Sequence, residues 1–173
     1  MRIISSRCLV FEYEVTTAGP CAVALDPLAV GNRNLFMDSL VLKIAVEPGD
    51  AAVASTAVEI IKTIANRTDA GYIVVDGIAR WTRTGDSDGA RLDVLTGLAD
   101  ALDVLSEVTE RLEERGELVH LMPFGWNTIR HTDIRGERWP VRVTHLSPGL
   151  PMRARQQQAR SPRITGSCRT ITH

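Results

Sequence analysis

The sequence lacks the features of a membrane protein, of a structural zinc protein and of a secreted disulfide-bonded protein. None of its apolar runs approaches the roughly 20 residues that span a bilayer. Its three cysteines, Cys8, Cys21 and Cys168, share no CxxC or Cys/His ligand spacing. Scattered cysteines without a signal peptide are typical of a reduced compartment. We therefore predict a soluble, cytoplasmic protein that holds no metal and no other cofactor.

Lysine is scarce, and acidic residues are missing from the end of the chain. Lys43 and Lys62 are the only two lysines, and a GC-rich coding sequence is one explanation of the bias toward arginine. No Asp or Glu follows Glu137, although seven arginines do, so the chain ends in a cationic stretch. The formal net charge is only -1, which gives the whole chain no general attraction to nucleic acid or membranes.

The apolar pattern ends near Pro151, which divides the chain into a domain over 1–150 and a basic tail over 151–173. A hydrophobic fraction of 44% is enough for the domain to bury a core. The tail has no apolar period, so we predict that it is disordered unless it is bound. Four of its arginines are candidates for binding nucleic-acid phosphates. They are Arg153, Arg155, Arg160 and Arg163.

Within 1–150, hydrophobic periodicity predicts the element order β, loop, β, α, β, α, β, β, β. The predicted strands are Met1–Val15, Leu35–Glu47, Tyr72–Val75, Leu118–Met122, Asn127–Ile134 and Val141–His145, and the predicted helices are Ala51–Arg67 and Ala90–Arg115. Asp50 is the expected cap of the first helix, and Gly116 is the expected C′ residue of the second. This order predicts a two-layer α/β domain whose mixed sheet is covered by two main helices.

The segment Pro123-Phe124-Gly125-Trp126 lies between two predicted strands, where a strand begins beside a ligand. Together with Met1–Val15, Ile44–Glu47 and Leu112–Gly116, it resembles the N-terminal editing domain of archaeal threonyl-tRNA synthetases. That fold is shared with D-aminoacyl-tRNA deacylases. The similarity in spacing and element order extends over roughly Met1–Val143 and leaves the tail unmatched.

The resemblance implies that the chain acts on the aminoacyl 3′ end of tRNA, by hydrolysing serine wrongly attached to threonine tRNA. It also implies a homodimer, and a catalytic strategy that uses main-chain groups and the tRNA 2′-hydroxyl. The substrate would bind in a pocket at the strand ends. The residues that the resemblance assigns to substrate binding are Trp126, Gly125, Phe124, Ala79, Val46 and Ala45.

The charged residues of the family's pocket are absent from the matching positions. Thr128 stands where the family has a lysine, and Arg80 stands where it has a histidine. The family's early-strand histidine is Arg7 here, and Glu137 is the carboxylate nearest to the position of its missing glutamate. An arginine is not deprotonated in proteins and therefore cannot act as a general base. The candidate catalytic set is reduced to Thr128, Arg80 and Asn127.

Three functions remain open at this point. The chain is a freestanding seryl-tRNA deacylase, a tRNA-dependent aminoacyl transferase that works with a separate aminoacyl-tRNA synthetase, or an inactive tRNA-binding module. Each candidate residue also has an ordinary structural explanation. Trp126 is then a core aromatic, Asn127 a turn amide, and Arg80 a solvated loop residue. His120 and His131 are poor catalytic candidates, because strand alternation can expose either one.

Overall fold

A computed structural model describes residues 1–80, 94–134, 139–148 and 157–158. Its strands are β1 (Arg2–Ala18), β2 (Arg33–Val46), β3 (Tyr72–Ala79), β4 (Val119–Leu121), β5 (Trp126–Ile134), β6 (Arg142–His145) and β7 (Gln157–Gln158). Its helices are α1 (Ala54–Thr68) and α2 (Val94–Glu114), with 3-10 turns at Pro27–Ala29 and Asp50–Val53. The predicted order of elements up to β6 is confirmed. Of the predicted tail, only Gln157 and Gln158 are described, and they pair with β6.

All seven strands belong to one mixed sheet, in which six follow the order β4-β3-β2-β1-β6-β7 and β5 pairs with β1. The strands β2, β3 and β4 are parallel, whereas β1 runs antiparallel to β2, β5 and β6. The strand β5 lies beside the second half of β1, along the same edge that β6 uses in the first half. The predicted two-layer α/β fold with a mixed sheet is confirmed.

Both helices pack on one face of the sheet and form what we call the helix-side core. Ile61 of α1 and Leu105 of α2 lie in this core with Leu42 and Ile44 of β2 and Val75 of β3. These side chains are 0% exposed, so the core is closed to water. The apolar period that predicted each helix therefore corresponds to a buried stripe.

The alternation of β1 and β2 reverses midway along both strands. Ile3 and Leu40 belong to the helix-side core, whereas Phe11 and Phe36 belong to a second cluster on the opposite face. The reversal occurs at Asp38, whose φ of 54° is left-handed, and at a register shift between β1 and β5. The second cluster consists of Cys8, Phe11, Tyr13, Val15, Val74 and Met122, with Phe36, Val41 and Trp126 packed against it.

Arg7 is buried at the start of this reversal and closes the C-terminal end of α1. Its guanidinium donates to the carbonyl oxygens of Thr68, Asp69 and Ser39 at 2.9–3.1 Å and pairs with the Asp38 carboxylate at 2.6 Å. The last carbonyls of a helix lack internal partners and carry partial negative charge, so a cation is favourable there. Arg7 therefore has a structural role, and its side chain is engaged within the fold.

The two predicted helix ends have different outcomes. Gly116 has a φ of 84°, and the N–H groups of Gly116 and Glu117 donate to carbonyls of α2 at 2.8 and 3.1 Å, as in a Schellman motif. The predicted cap at Asp50 is wrong. Its carboxylate instead accepts from the α-amino group of Met1 at 2.6 Å and from the Glu47 N–H at 2.7 Å. A 3-10 turn then precedes α1, which begins at Ala54.

Neither α1 nor the described part of α2 is long and apolar enough to cross a membrane.

Candidate functional site

A cleft opens where the parallel strands β3 and β4 separate. The last bond between these strands runs from the Met122 N–H to the Val75 carbonyl at 2.9 Å. Beyond this bond β3 continues to Ala79, while the segment that follows β4 leaves the sheet at Pro123. The carboxyl ends of parallel strands are common ligand sites, because diverging strands leave a crevice there.

The cleft has a volume of about 390 Å³. Two main-chain segments line it, Asp76–Ala79 and Met122–Trp126. The side chains of Cys21, Lys43, Leu98, Thr128 and Arg130 complete its walls. This set joins β2, β3, β5 and α2, which are brought together only by the tertiary fold.

The turn at Gly125 is held against the loop that follows β1. The Gly19 N–H donates to the Gly125 carbonyl at 3.0 Å, and the Val23 N–H donates to the Phe124 carbonyl at 3.1 Å. Gly125 has a φ of 77°, and a Cβ added there would lie 2.4 Å from the Cys21 carbonyl oxygen. Only glycine fits this combination of left-handed backbone and close approach. The turn is therefore fixed before any ligand arrives.

Trp126 is half-buried between the second cluster and the cleft. Its indole N–H donates to the Val23 carbonyl at 2.9 Å. Since that donor is already used, Trp126 offers a ligand the surface of its ring rather than a hydrogen bond. Such a surface can stack on a nucleobase.

An ion pair spans the cleft between β5 and β3. Arg130 donates to the two carboxylate oxygens of Asp76, at 2.6 and 3.2 Å, and its Nε donates to Thr128 Oγ1 at 2.8 Å. The Asp76 side chain is buried and that of Arg130 is about one-third exposed. All three guanidinium nitrogens of Arg130 are thus engaged, and the pair ties together two strands that are not neighbours in the sheet.

Lys43 of β2 also lines the cleft. It is exposed, and it is the register neighbour of Asp76 on the adjoining parallel strand. Among the described residues, no carboxylate lies within salt-bridge distance of its ammonium group. The side chains of Leu42 and Ile44 point into the helix-side core, so strand alternation directs Lys43 to the opposite face.

The structure brings five of the sequence-predicted site residues together in the cleft. These are Ala79, Phe124, Gly125, Trp126 and Thr128. Phe124 is also buried in the helix-side core, so its side chain has a packing role as well.

Four other predicted site residues, all of them described, lie outside the lining of the cleft. Arg80 is exposed and pairs with Glu47 at 3.7 Å. Asn127 points away from Trp126 and Thr128, because it is the intervening residue of β5, and its amide donates to Thr17 Oγ1 at 3.0 Å. Ala45 and Val46 are buried. Glu137 and the tail residues Arg153, Arg155, Arg160 and Arg163 lie outside the described residues.

Four polar residues of the cleft did not emerge from the sequence: Cys21, Lys43, Asp76 and Arg130. Two of them left a local signal. Arg130 is two residues after Thr128 and therefore shares its face of β5. Lys43 is the single charged residue in the apolar run Leu40–Val46. Nothing local connects Asp76 with Arg130, which is 54 residues away.

His120 and Tyr13 form a polar pair beside the second cluster. The Tyr13 hydroxyl lies 2.7 Å from His120 Nε2, and the Phe36 ring lies 4.8 Å from the imidazole. Burial lowers the pKa of His120 and raises the pKa of Tyr13 to about 12. His120 is thus half-buried rather than exposed, whereas His131 is exposed. Neither lines the cleft.

In the described part of the chain, no three His, Cys, Asp or Glu side chains are grouped as metal ligands would be.

No family model matches the sequence, and no curated protein matches it. Among solved structures, the chain is similar to one named c-Myc DNA Unwinding Element Binding Protein. The two share 13% sequence identity with a TM-score of 0.48, over 77% of this chain and 91% of the other. A likeness this weak identifies neither a ligand nor an activity.

Proposed function

We propose that the chain is a freestanding aminoacyl-tRNA deacylase, and that seryl-tRNA is its substrate. One observation carries this proposal. The segment Pro123–Trp126, which carries much of the resemblance to threonyl-tRNA editing domains, lines the same cleft as the open end of β3. The substrate ester would enter where these two walls face each other.

The open end of β3 offers main-chain groups to a substrate. The Ile73 N–H and the Val75 carbonyl face β4. In a parallel strand, alternate residues direct both main-chain groups to the same side, so Gly77 and Ala79 face that side too. The strand β4 pairs only as far as Val75, and no other described strand takes its place there. An N–H from this edge can donate to the ester carbonyl, and a carbonyl can accept from the α-ammonium group.

Hydrolysis of the ester needs few side chains if such main-chain donors are in position. Water attacks the carbonyl carbon, and the bond to the ribose 3′-oxygen then breaks. The proton lost by water is gained by that oxygen, with the ribose 2′-hydroxyl as the relay. The products are free serine and tRNA with an intact 3′ end. Fixed donors to the developing oxyanion contribute about 100-fold each in well-studied hydrolases.

Trp126 gives the cleft a surface for the terminal adenosine. Its ring borders the cleft, and its N–H is bound to the Val23 carbonyl, which fixes its orientation. An immobilised aromatic ring stacks on a base with little further loss of entropy. This position would fix the ribose and its ester against Gly77 and Ala79.

The test is to incubate the full chain with seryl-tRNA and threonyl-tRNA and to follow loss of the ester. We expect seryl-tRNA to be hydrolysed faster than in buffer. Trp126→Leu should raise KM, whereas Trp139→Leu, which removes a tryptophan outside the cleft, should not. Ester loss at the buffer rate would contradict the proposal. Products linked to an added amine, in place of free serine, would identify a transferase instead.

A further inference from the structure

We infer that Lys43 is a catalytic residue whose ammonium group stabilises the oxyanion formed at the substrate ester. This inference rests on the proposed function and assigns the charge on which the reaction depends. It follows from the cations near the cleft, from their partners and from the position of Lys43.

The described residues that line the cleft include two cations, and of these only Lys43 has no side-chain partner within the described part of the chain. Arg130 directs two nitrogens to Asp76 and the third to Thr128, at 2.6–3.2 Å. It cannot approach a substrate without giving up those partners. Lys43 has no carboxylate within salt-bridge distance among the described residues, and an ammonium group has three N–H donors to offer a ligand.

Arg80, a sequence-predicted catalytic residue, does not compete with Lys43. It pairs with Glu47 at 3.7 Å and does not line the cleft. Its main-chain N–H is bound to the Val46 carbonyl at 2.8 Å, which continues the β2–β3 ladder. The backbone of Arg80 is therefore bound to the end of β2, directly after the carboxyl end of β3.

The charges of the cleft leave one positive charge for the substrate. Asp76 and Arg130 neutralise each other through their bidentate pair. Among the described residues no carboxylate compensates the charge of Lys43, so a negative charge that forms beside it in the cleft is attracted to it. An ester is neutral before the reaction, and its carbonyl oxygen becomes negative only after attack. The interaction therefore strengthens in the transition state, which is the requirement for raising kcat.

The position of Lys43 agrees with this role. It is the register neighbour of Asp76, the residue directly before Gly77. Lys43 also lines the same cleft as Gly77 and Ala79, whose main-chain groups would bind the ester in the proposed function. In the proposed step, water attacks the carbonyl carbon and Lys43 donates a hydrogen bond to the resulting oxyanion while keeping its proton. Collapse of this intermediate breaks the bond to the ribose oxygen, which takes the proton released by water.

The sequence offers a matched control, because Lys62 is the only other lysine. Lys62 lies on α1, where it binds the Arg115 carbonyl and pairs with Glu117, away from the cleft. We expect Lys43→Met to lower kcat for seryl-tRNA about 100-fold with little change in KM. Lys62→Met should leave both values unchanged. Added ethylammonium should restore part of the kcat of a Lys43→Ala variant by occupying the vacated space.

The outcomes separate this inference from the proposed function. If the wild-type chain hydrolyses seryl-tRNA and Lys43→Met is equally active, Lys43 is not catalytic and the deacylase function stands. A rise in KM with unchanged kcat would also overturn the inference, because Lys43 would then bind the ground state alone.

A second measurement applies even if the wild-type chain is inactive. In Lys62→Arg the only lysine is Lys43, so an amine-reactive reagent modifies one lysine, which mass spectrometry of the derived peptide quantifies. A non-hydrolysable 3′-serylamino-adenosine should slow this modification by at least about tenfold if it contacts the ammonium group. Unchanged modification at saturating analogue would overturn the contact. Protection without hydrolysis would support the contact and refute the deacylase function.

Discussion

Asp76 and Lys43 are neighbours on adjoining parallel strands, yet the Asp76 carboxylate binds Arg130, which comes from β5. Arg130 therefore occupies both oxygens of the carboxylate. Without Arg130, the buried Asp76 carboxylate would lose this partner, and we expect it to pair with Lys43, its register neighbour on β2. Because Arg130 pairs with Asp76, that carboxylate does not pair with Lys43.

This relationship predicts an indirect effect of Arg130 on activity. Arg130→Met should lower kcat by about tenfold, because the released Asp76 carboxylate neutralises Lys43. The double variant with Asp76→Asn should recover most of the lost activity, because no carboxylate then competes for Lys43. The measurement is the steady-state hydrolysis of seryl-tRNA by the two variants. If the double variant is as slow as Arg130→Met, Arg130 acts on the substrate directly.

The turn at Gly125 predicts a difference between two left-handed glycines. Gly31 has a φ of 80° with nothing within 4 Å of an added Cβ, whereas Gly125 would bring its Cβ to 2.4 Å from the Cys21 carbonyl. Gly31→Ala should cost about 1 kcal/mol, and Gly125→Ala at least about 2 kcal/mol. Urea unfolding of the two variants measures this difference. Equal losses would mean that the turn moves away from the loop without cost.

Burial of His120 predicts a loss of stability in mild acid. Its pKa in the folded chain is lowered from the ordinary value of 6.5, so the unfolded chain binds the proton more readily. The neutral imidazole contributes its full stability above pH 6.5, and that contribution decreases as the pH falls toward the folded pKa. The free energy of unfolding should therefore decrease as the pH falls below 6.5. His120→Gln should flatten the decrease, and the exposed His131→Gln should not.

Alkaline pH should also destabilise the fold, because Tyr13 and Cys8 of the second cluster are buried in their protonated forms. Burial raises the pKa of Tyr13 to about 12 and that of Cys8 to about 11, from ordinary values of 10.0 and 9.0. The unfolded chain releases these protons first, so the free energy of unfolding should decrease as the pH rises above 9. Cys8→Ala should remove the onset near pH 9 and leave the loss above pH 10. Denaturant titrations at a series of pH values would detect both losses of stability. A constant free energy of unfolding across pH 8–11 would contradict the prediction.

The order of elements was predictable because each element has its own local pattern. The helices carry apolar residues at helical spacing, and Gly116 marks the end of α2. The end of β3 was missed, because Asp76 and Gly77 interrupt the apolar run Tyr72–Val75. Strand pairing with β2 extends β3 through these residues, and a single sequence does not display that pairing.

Only part of the candidate site was predictable. Phe124, Gly125 and Trp126 are consecutive, so a motif could identify them together. The Arg130–Asp76 pair depends on β5 folding over the opposite face of β3, and no sequence spacing reports that contact. The capping prediction for Asp50 failed for a related reason. The carboxylate binds the α-amino group of Met1, 49 residues away, and the Glu47 N–H instead of the N–H groups at the start of α1.

The reversal of alternation at Asp38 has a consequence for how the gene can change. A residue inserted or deleted in β1 before its own register shift, between Cys8 and Val10, would exchange the inward and outward sides of every later residue in the strand. Phe11, Tyr13 and Val15 would then face the wrong half of the domain. The loop after Ala18 is anchored at Gly19 and Val23, which bind the Gly125 turn, and at Gly31, whose N–H donates to the Val15 carbonyl at 2.8 Å. Length variation among descendants of this chain should therefore accumulate between these anchors, near Ala24–Ala29, and avoid β1.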